Sequence, residues 1–313
     1  MISLLHIGIF DSHEGQPSLR NALRGISDHY VEFNHSSYRG RVNSLLVNEY
    51  KKHPFNVVFF QIQQAGVLSV NVLKSFNRKG IKMFNFTGDV RQPIPKWYKE
   101  VAPYVTTLFS NKTDSDHFKS LGFSAEYFQV GYNIEYYNTT GPKANGPEIV
   151  FMGNNYSGKF PLSGLRADMV SLLQERYGSR FGVFGNGWTN SRWLKQEEEA
   201  AVYRNCKIAI NLSHFDLKRY SSDRLFRILG CGAFCLSHKY QEIEAEFDEG
   251  NPLIWWRNFE DLCYLIDLYL LPENDALRLS IAHQGNQLCE ASYTWKHRIE
   301  TQLLPMILNE KLD

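Results

Sequence analysis

An α/β architecture of two doubly wound parallel sheets is what this sequence predicts, and three observations predict it. A chain of 313 residues exceeds one typical domain and suits two. Short, wholly apolar runs alternate with stretches of helical length, the pattern of parallel strands covered on both faces. That alternation halts at residues 138–147, a run rich in Gly, Pro, Asn and Thr that marks a linker, and then begins again. The 43% hydrophobic and 21% charged shares supply two cores and exclude a chain that is mainly disordered.

In the first half, strands are expected at 4–10, 31–34, 56–61, 82–86, 105–110 and 126–130. Helices are expected between them, at 18–25, 43–52, 69–80 and 113–121. Ser18 suits the first N-cap, and Gly80 and Gly122 suit helix ends. In the second half, strands at 148–153, 180–185, 207–212, 233–237 and 253–256 are interleaved with helices at 166–177, 197–205 and 222–230. The last part is helical, at 259–270, 274–289 and 295–309. The expected division is a first domain over 1–137, a second over 148–290, and a terminal segment over 291–313. Ligands of such sheets sit outside the carboxyl ends of the strands, so a cleft between the two domains is the expected active region.

Lys and Arg number 34 against 33 Asp and Glu, a net charge of +1. That balance argues against a protein whose main business is coating nucleic acid or anionic lipid. No apolar run reaches the ~18–20 residues of a membrane span. The apolar start lacks a basic leader and runs into Asp11, so it reads as a buried strand. The five cysteines (Cys206, Cys231, Cys235, Cys263 and Cys289) form no Cys-x-x-Cys pair. An odd count without such a pair argues against a disulfide framework or structural zinc and points to a cytoplasmic location.

The most informative stretch runs loop, helix, glycine turn, strand over residues 221–236. Ser221, Ser222 and Asp223 stand at the helix start, where free N–H groups and the helix dipole favour an anion. Arg224, in the first turn, offers a two-pronged cation for a diphosphate. Plain capping by Ser222 or Asp223 is the alternative. Gly153, Asn154 and Tyr156 follow the first strand of the second half, where a glycine lets backbone approach a phosphate. Gly185, Gly187 and Trp188 end the next strand, as a wall for base or sugar or as a tight turn with a core plug. Lys218 and Arg219 precede the anion-binding helix and suit neutralisation of a leaving pyrophosphate, or are simply solvated.

In the first half, Asp11, His13 and Glu14 crowd one loop, and any of them suits a general base. Asp89, beside Arg91 on a glycine turn at a strand's carboxyl end, ranks first for handling an acceptor. Asp114-Ser-Asp116 has the form of a metal motif, but it lies at a helix start, where acids serve as caps. No metal is expected.

Residues 221–236 resemble the Arg-x-Phe-Glu-Ala-x-Ala-Cys-Gly signature of the GT-B glycosyltransferases, most nearly the spore-maturation type of bacteria and phages. Phe151-Met-Gly153, Arg166 opening a helix, Gly185-Asn-Gly-Trp188, Cys206-Lys-Ile-Ala-Ile-Asn211 and Tyr293-Thr-Trp-Lys-His-Arg298 stand in the same order. The resemblance covers roughly 148–308, and the first half more weakly. It implies two Rossmann-like domains facing across a cleft. It also implies a nucleotide diphosphate sugar, UDP-sugar by default, bound mainly by the second domain, with no other cofactor. The acceptor would lie in the first domain, and the wider clan suggests retention of anomeric configuration. The tail would cross back to the first domain: Trp295, Ile299, Leu303 and Ile307 form one apolar stripe that must be buried. Arg227 is a departure, because the family has a Glu there for the donor ribose and an Arg accepts no hydrogen bond. Asp223, Asp216 or a phosphate-binding role for Arg227 are the open replacements. A phosphorylase or epimerase on the same fold, and a nucleotide-sugar binder without turnover, are the rivals. A glycan, a protein, a small molecule or a modified base in DNA are the open acceptors.

Overall fold

A computed structural model describes residues 1–10, 16–38 and 40–309. The chain forms two compact units, residues 1–130 with 295–313 and residues 131–294.

The first unit runs β1 (Ser3–Gly8), α1 (Pro17–Gly25), β2 (His29–Asn34), α2 (Val42–Lys52), β3 (Val57–Phe60), α3 (Val70–Arg78) and β4 (Lys82–Thr87). It continues with α4 (Lys96–Val101), β5 (Thr106–Phe109), α5 (Lys112–Ser120) and β6 (Ala125–Tyr127). The sheet order is β2-β1-β3-β4-β5-β6, every pair parallel. The strands read as continuous apolar runs because both faces are covered. Leu5, Val58 and Phe60 join a core with Leu46, Leu73 and Phe118 of the helices. Their strand neighbours Leu4, Val57 and Phe59 turn to the opposite face, as the period of two requires. That second face is closed by α1 and by the end of the chain.

The second unit runs β7 (Ile149–Met152), α6 (Ser163–Tyr177), β8 (Phe181–Phe184), α7 (Gln196–Tyr203), β9 (Ile208–Asn211), α8 (Asp223–Gly230) and β10 (Cys235–His238). It ends with β11 (Asp248–Glu249), β12 (Pro252–Trp256), α9 (Phe259–Leu270) and α10 (Asp275–Ser292). Its parallel sheet has the order β11-β12-β10-β9-β7-β8. In both sheets the chain reverses its direction of travel beside the first strand, at β1/β3 and at β7/β9. The crevice at the carboxyl ends of such a pair is where doubly wound sheets hold ligands.

Residues 138–147, expected as the linker, lie inside the second unit and are fastened there. Arg204 donates to the carbonyls of Tyr136 (2.6 Å), Asn138 (2.5 Å) and Pro142 (3.2 Å), and Ala144 N–H donates to Ala201 O. The chain changes unit at Val130/Gly131 and again at Thr294/Trp295, where Tyr132 and Thr294 form a parallel bridge. After that bridge come α11 (Trp295–Arg298), a π turn over Ile299–Leu303 and α12 (Leu304–Leu308). Pro305, which has no N–H to give to a regular ladder, follows the π turn. Trp295, Ile299, Leu303 and Ile307 are buried in the first unit's core, with Trp295 edge-on to Phe86 at 5.5 Å. Lys82 Nζ closes the end by bonding Ile307 O and Asn309 Oδ1.

Candidate functional site

The second unit holds a cavity of about 220 Å³ at the carboxyl ends of β7 and β8, against the N-terminus of α8. Its floor follows from the switch point. Arg224, in the first turn of α8, donates through Nε to Met152 O at the end of β7 and through Nη1 to Leu212 O (3.0 Å) just past β9. The guanidinium thus ties two strand ends together and is held rigid. Its carbon lies 5.2 Å from the centre of the Phe151 ring, and Arg166 lies 5.0 Å from the same ring.

Arg166 is the unusual group. It occupies α6 on the stripe Ser163, Arg166, Met169, Val170, Leu173 and Tyr177, all buried. It is 1% exposed, and none of its Nε, Nη1 and Nη2 atoms has a hydrogen-bond partner. Burial, and next the charge of Arg224, drive its pKa down to about 8. The cation survives at neutral pH, desolvated and without an anion, which is costly. His214, on the same cavity, is pushed down to about 3 by burial and by these two arginines, so its ring is neutral. Its Nδ1 also lacks a partner.

Two glycines make room for this arrangement. A Cβ on Gly153 would collide with the Arg166 guanidinium and lie 2.8 Å from Arg224 Nη2. Gly185 takes φ +134°, and a Cβ there would meet Gly153 O at 2.5 Å. Glycine is needed at 153 chiefly because the guanidinium groups press against that backbone. The loops after β7 and β8 are stitched together: Gly153 N–H donates to Phe184 O, Asn186 N–H to Asn154 Oδ1, and Asn154 Nδ2 to Tyr156 Oη.

Of the expected donor-site residues, Gly153, Asn154, Tyr156, Gly185, Asp223, Arg224 and Arg227 line this cavity. The others stand elsewhere. Trp188 packs on Phe151 and donates Nε1–H to Gly153 O, so it is a core plug. Trp193, 55% exposed, is the tryptophan on the cavity wall. Gly187, at φ +83°, accommodates Asn155 O, with which a Cβ would clash. Ser221 is buried against Asn211, and Ser222 is the N-cap residue of α8, its N–H donating to Ser213 Oγ. Lys218 and Arg219 pair with Glu242 (3.2 Å) and Glu246 (3.0 Å) outside the cavity lining, because the loop folds back on the turn after β10.

Arg227 does not stand alone. Nη2 pairs with Asp223 Oδ2 at 2.5 Å and Nη1 with Glu199 Oε2 at 3.0 Å. Glu199 and Arg166 also line the cavity; the sequence singled out Arg166 only as a motif residue opening a helix and gave Glu199 no role. Both carried a signal, as charged residues on the buried face of a helix: Glu199 lies four residues before the buried Tyr203.

In the first unit, Asp11, His13 and Glu14 lie outside the described residues. Asp89 follows β4 on a separate cavity of about 480 Å³, lined also by His35, Gln61, Gln63 and Arg91. Arg91 pairs with Asp89 (3.4 Å) and donates to Gln63 Oε1 (2.9 Å). Asp114 is bonded by the N-cap residue Asn111, and Asp116 by Lys112, so the Asp-x-Asp pair serves its own helix. Among the described residues, no three His, Cys, Asp or Glu side chains gather as a metal would need. No helix among them is long and apolar enough to cross a membrane.

Residues 166–303, somewhat under half the chain, match the family described as glycosyl transferase-like. No curated protein matches the sequence. Solved structures resemble it over nearly its whole length. A glycosyltransferase from Rickettsia africae has TM-score 0.63 and 11% identity, covering 99% of each chain. Sucrose-phosphate synthase from Thermosynechococcus elongatus has TM-score 0.64 and 10% identity, again covering 99% of each. Anabaena HepE in complex with UDP and glucose has TM-score 0.66 and 9% identity, covering 99% of this chain and 100% of that one. Two six-stranded parallel sheets in this order are the GT-B fold. The chain therefore has the GT-B fold, and its residues 166–303 resemble the glycosyl transferase-like family.

Proposed function

We propose that this chain transfers a sugar from a nucleoside diphosphate sugar to an acceptor hydroxyl, without a metal ion. The observation that carries this reading is the buried, acceptorless guanidinium of Arg166 beside Arg224. Such a pair is complete only with an anion between or above its members, and a diphosphate supplies two to three charges. The positive end of α8 adds to the same potential. Trp193 and Leu194 offer an apolar wall for a base, on the same cavity as the arginines. UDP is favoured because HepE, similar in fold, is in complex with UDP and glucose.

In the reaction, the acceptor oxygen bonds to the anomeric carbon as that carbon's bond to the β-phosphate oxygen breaks. The hydroxyl proton is lost, and the nucleoside diphosphate leaves with the bonding electrons. Arg166 and Arg224 meet the charge that grows on the leaving oxygen, the work a metal does in other transferases. Acceptor handling is assigned to the first-unit cavity carrying Asp89, as base or as hydrogen-bond acceptor. The finer kinship with spore-maturation enzymes rests on the motif order alone.

Incubation with UDP-, GDP- and ADP-sugars, following nucleotide release with and without candidate acceptors, tests the proposal. Acceptor-dependent release supports it. Tight binding with no turnover on any acceptor supports the binder instead, and a strict need for phosphate supports a phosphorylase.

A further inference from the structure

Arg227 stands where the resembled enzymes carry the carboxylate that receives the donor ribose, and an arginine has only donors. The structure offers a carboxylate from another helix. Glu199, in the first half of α7, lines the same cavity as Arg166, Arg224 and Gly153. Its Oε2 accepts from Arg227 Nη1 (3.0 Å) and from Tyr137 Oη (3.0 Å). Its Oε1 is 3.4 Å from Arg227 Nη1, at the limit of a bond. The Arg227 guanidinium also lies over the Tyr137 ring, 5.1 Å from its centre, and grips Asp223 on its other side. The carboxylate is thus held by two fixed donors on one oxygen, while the second oxygen keeps capacity.

We propose that Glu199 is the ribose acceptor, receiving the 2′- and 3′-hydroxyls of the donor on Oε1 while Arg227 and Tyr137 hold the carboxylate in place. The assignment rests on the nucleoside-diphosphate-sugar reading above. Two other acids fit less well. Asp216 accepts from the Gln241 N–H (2.9 Å) and does not line the cavity. The Asp223 side chain is 46% exposed and already bathed in water, whereas that of Glu199 is 12% exposed. A nearly buried, incompletely bonded carboxylate gains most from incoming hydroxyls and discriminates most sharply against a ligand that lacks them.

The test uses the full chain and calorimetric titration with UDP, GDP and ADP, each beside its 2′,3′-dideoxy counterpart, and with inorganic pyrophosphate. The wild-type protein is expected to prefer the ribose form of its nucleotide by roughly ten- to a hundredfold. Glu199→Gln loses the charge and one of the two acceptor oxygens, so it is expected to reduce that ratio while pyrophosphate and the dideoxy form bind as before. Glu199→Asp keeps the charge beside Arg227 but shortens the reach, so it should shrink the ratio in a protein that folds normally. Asp223→Asn should leave the ratio in place, whatever it does to the absolute affinities. A wild-type protein indifferent to the two hydroxyls, a ratio undiminished in both Glu199 variants, or a ratio lost in Asp223→Asn would overturn the assignment. Failure of every nucleotide and of pyrophosphate to bind the wild type would sink the donor reading, and the assignment with it.

Discussion

Replacing Arg166 by methionine should make the ligand-free protein more stable and the donor site worse. Arg166 is 1% exposed, its three nitrogens lack acceptors, and Arg224 is a like charge sharing the Phe151 ring. A fall in pKa from the ordinary 12.5 to about 8 corresponds to roughly 6 kcal/mol set against the buried cation. Methionine nearly conserves volume and continues the apolar stripe of Met169, Val170 and Leu173. It should recover a part of that cost, about 1–4 kcal/mol, as replacements of buried charges by apolar residues do. With a diphosphate bound the sign reverses. Loss of one or two charge-assisted hydrogen bonds removes about 3 kcal/mol, roughly a hundredfold in Kd. Urea unfolding with and without UDP-glucose reads both effects, because ligand adds stability in proportion to the logarithm of its concentration over Kd. The variant should start above wild type and gain little from ligand, and wild type should start lower and gain more. A methionine variant that is less stable without ligand, and that binds UDP-glucose as tightly as wild type, would refute the reasoning.

Four further outcomes are expected. Arg224→Lys keeps the charge but loses the fork that spans Met152 O and Leu212 O, so kcat/KM should fall by about 2–4 kcal/mol in transition-state terms; unchanged kinetics would end its assignment. On the proposed reading, in which arginines meet the diphosphate, EDTA should leave nucleotide release nearly intact; a strict need for Mn²⁺ or Mg²⁺ would contradict it. Acid should destabilise the protein through His6, whose pKa is about 4 because of burial and which bonds Tyr30 Oη at 2.9 Å. Between pH 6.5 and 4 the unfolded chain takes up a proton that the native ring refuses, so stability falls by roughly 3 kcal/mol over that window, and His6→Gln should flatten that part of the unfolding profile. Trp295→Ala should cost about 3–5 kcal/mol, read as loss of the first unit's cooperative unfolding, because the indole is packed against Phe86 and Phe128.

Much of the fold was legible because parallel strands buried on both faces leave an unmistakable mark: four-residue apolar runs such as Val57–Phe60 and Ile149–Met152. The helix α4 was not legible, since Pro93 and Pro95 stand before a short stretch, Lys96–Val101, with no helical period to see. The division into units was misplaced for a related reason. Glycine and proline in residues 138–147 mark a chain without regular structure, but they say nothing of whether a distant side chain clamps it, as Arg204 does.

The candidate site shows the same limit. Glycine turns and the helix start at Asp223 are local features, and the cavity is built on them. Ion pairs are not local. Lys218 and Arg219 look available for phosphate in the sequence, but Glu242 and Glu246, more than twenty residues away, engage them. Arg227 likewise reads as a lost acceptor until Glu199, from a different helix, is seen beside it. Trp188 and Trp193 are five residues apart, and the turn between them decides which plugs the core and which faces the cavity.

A crystal structure of the full chain with UDP-glucose, or with whichever nucleotide sugar binds best, is the most direct test of the central claim. The account predicts the diphosphate within hydrogen-bond distance of both the Arg166 and the Arg224 guanidinium groups, over Gly153, with the base toward Trp193. A diphosphate seated elsewhere, leaving the Arg166 guanidinium buried and without an anion, would contradict it.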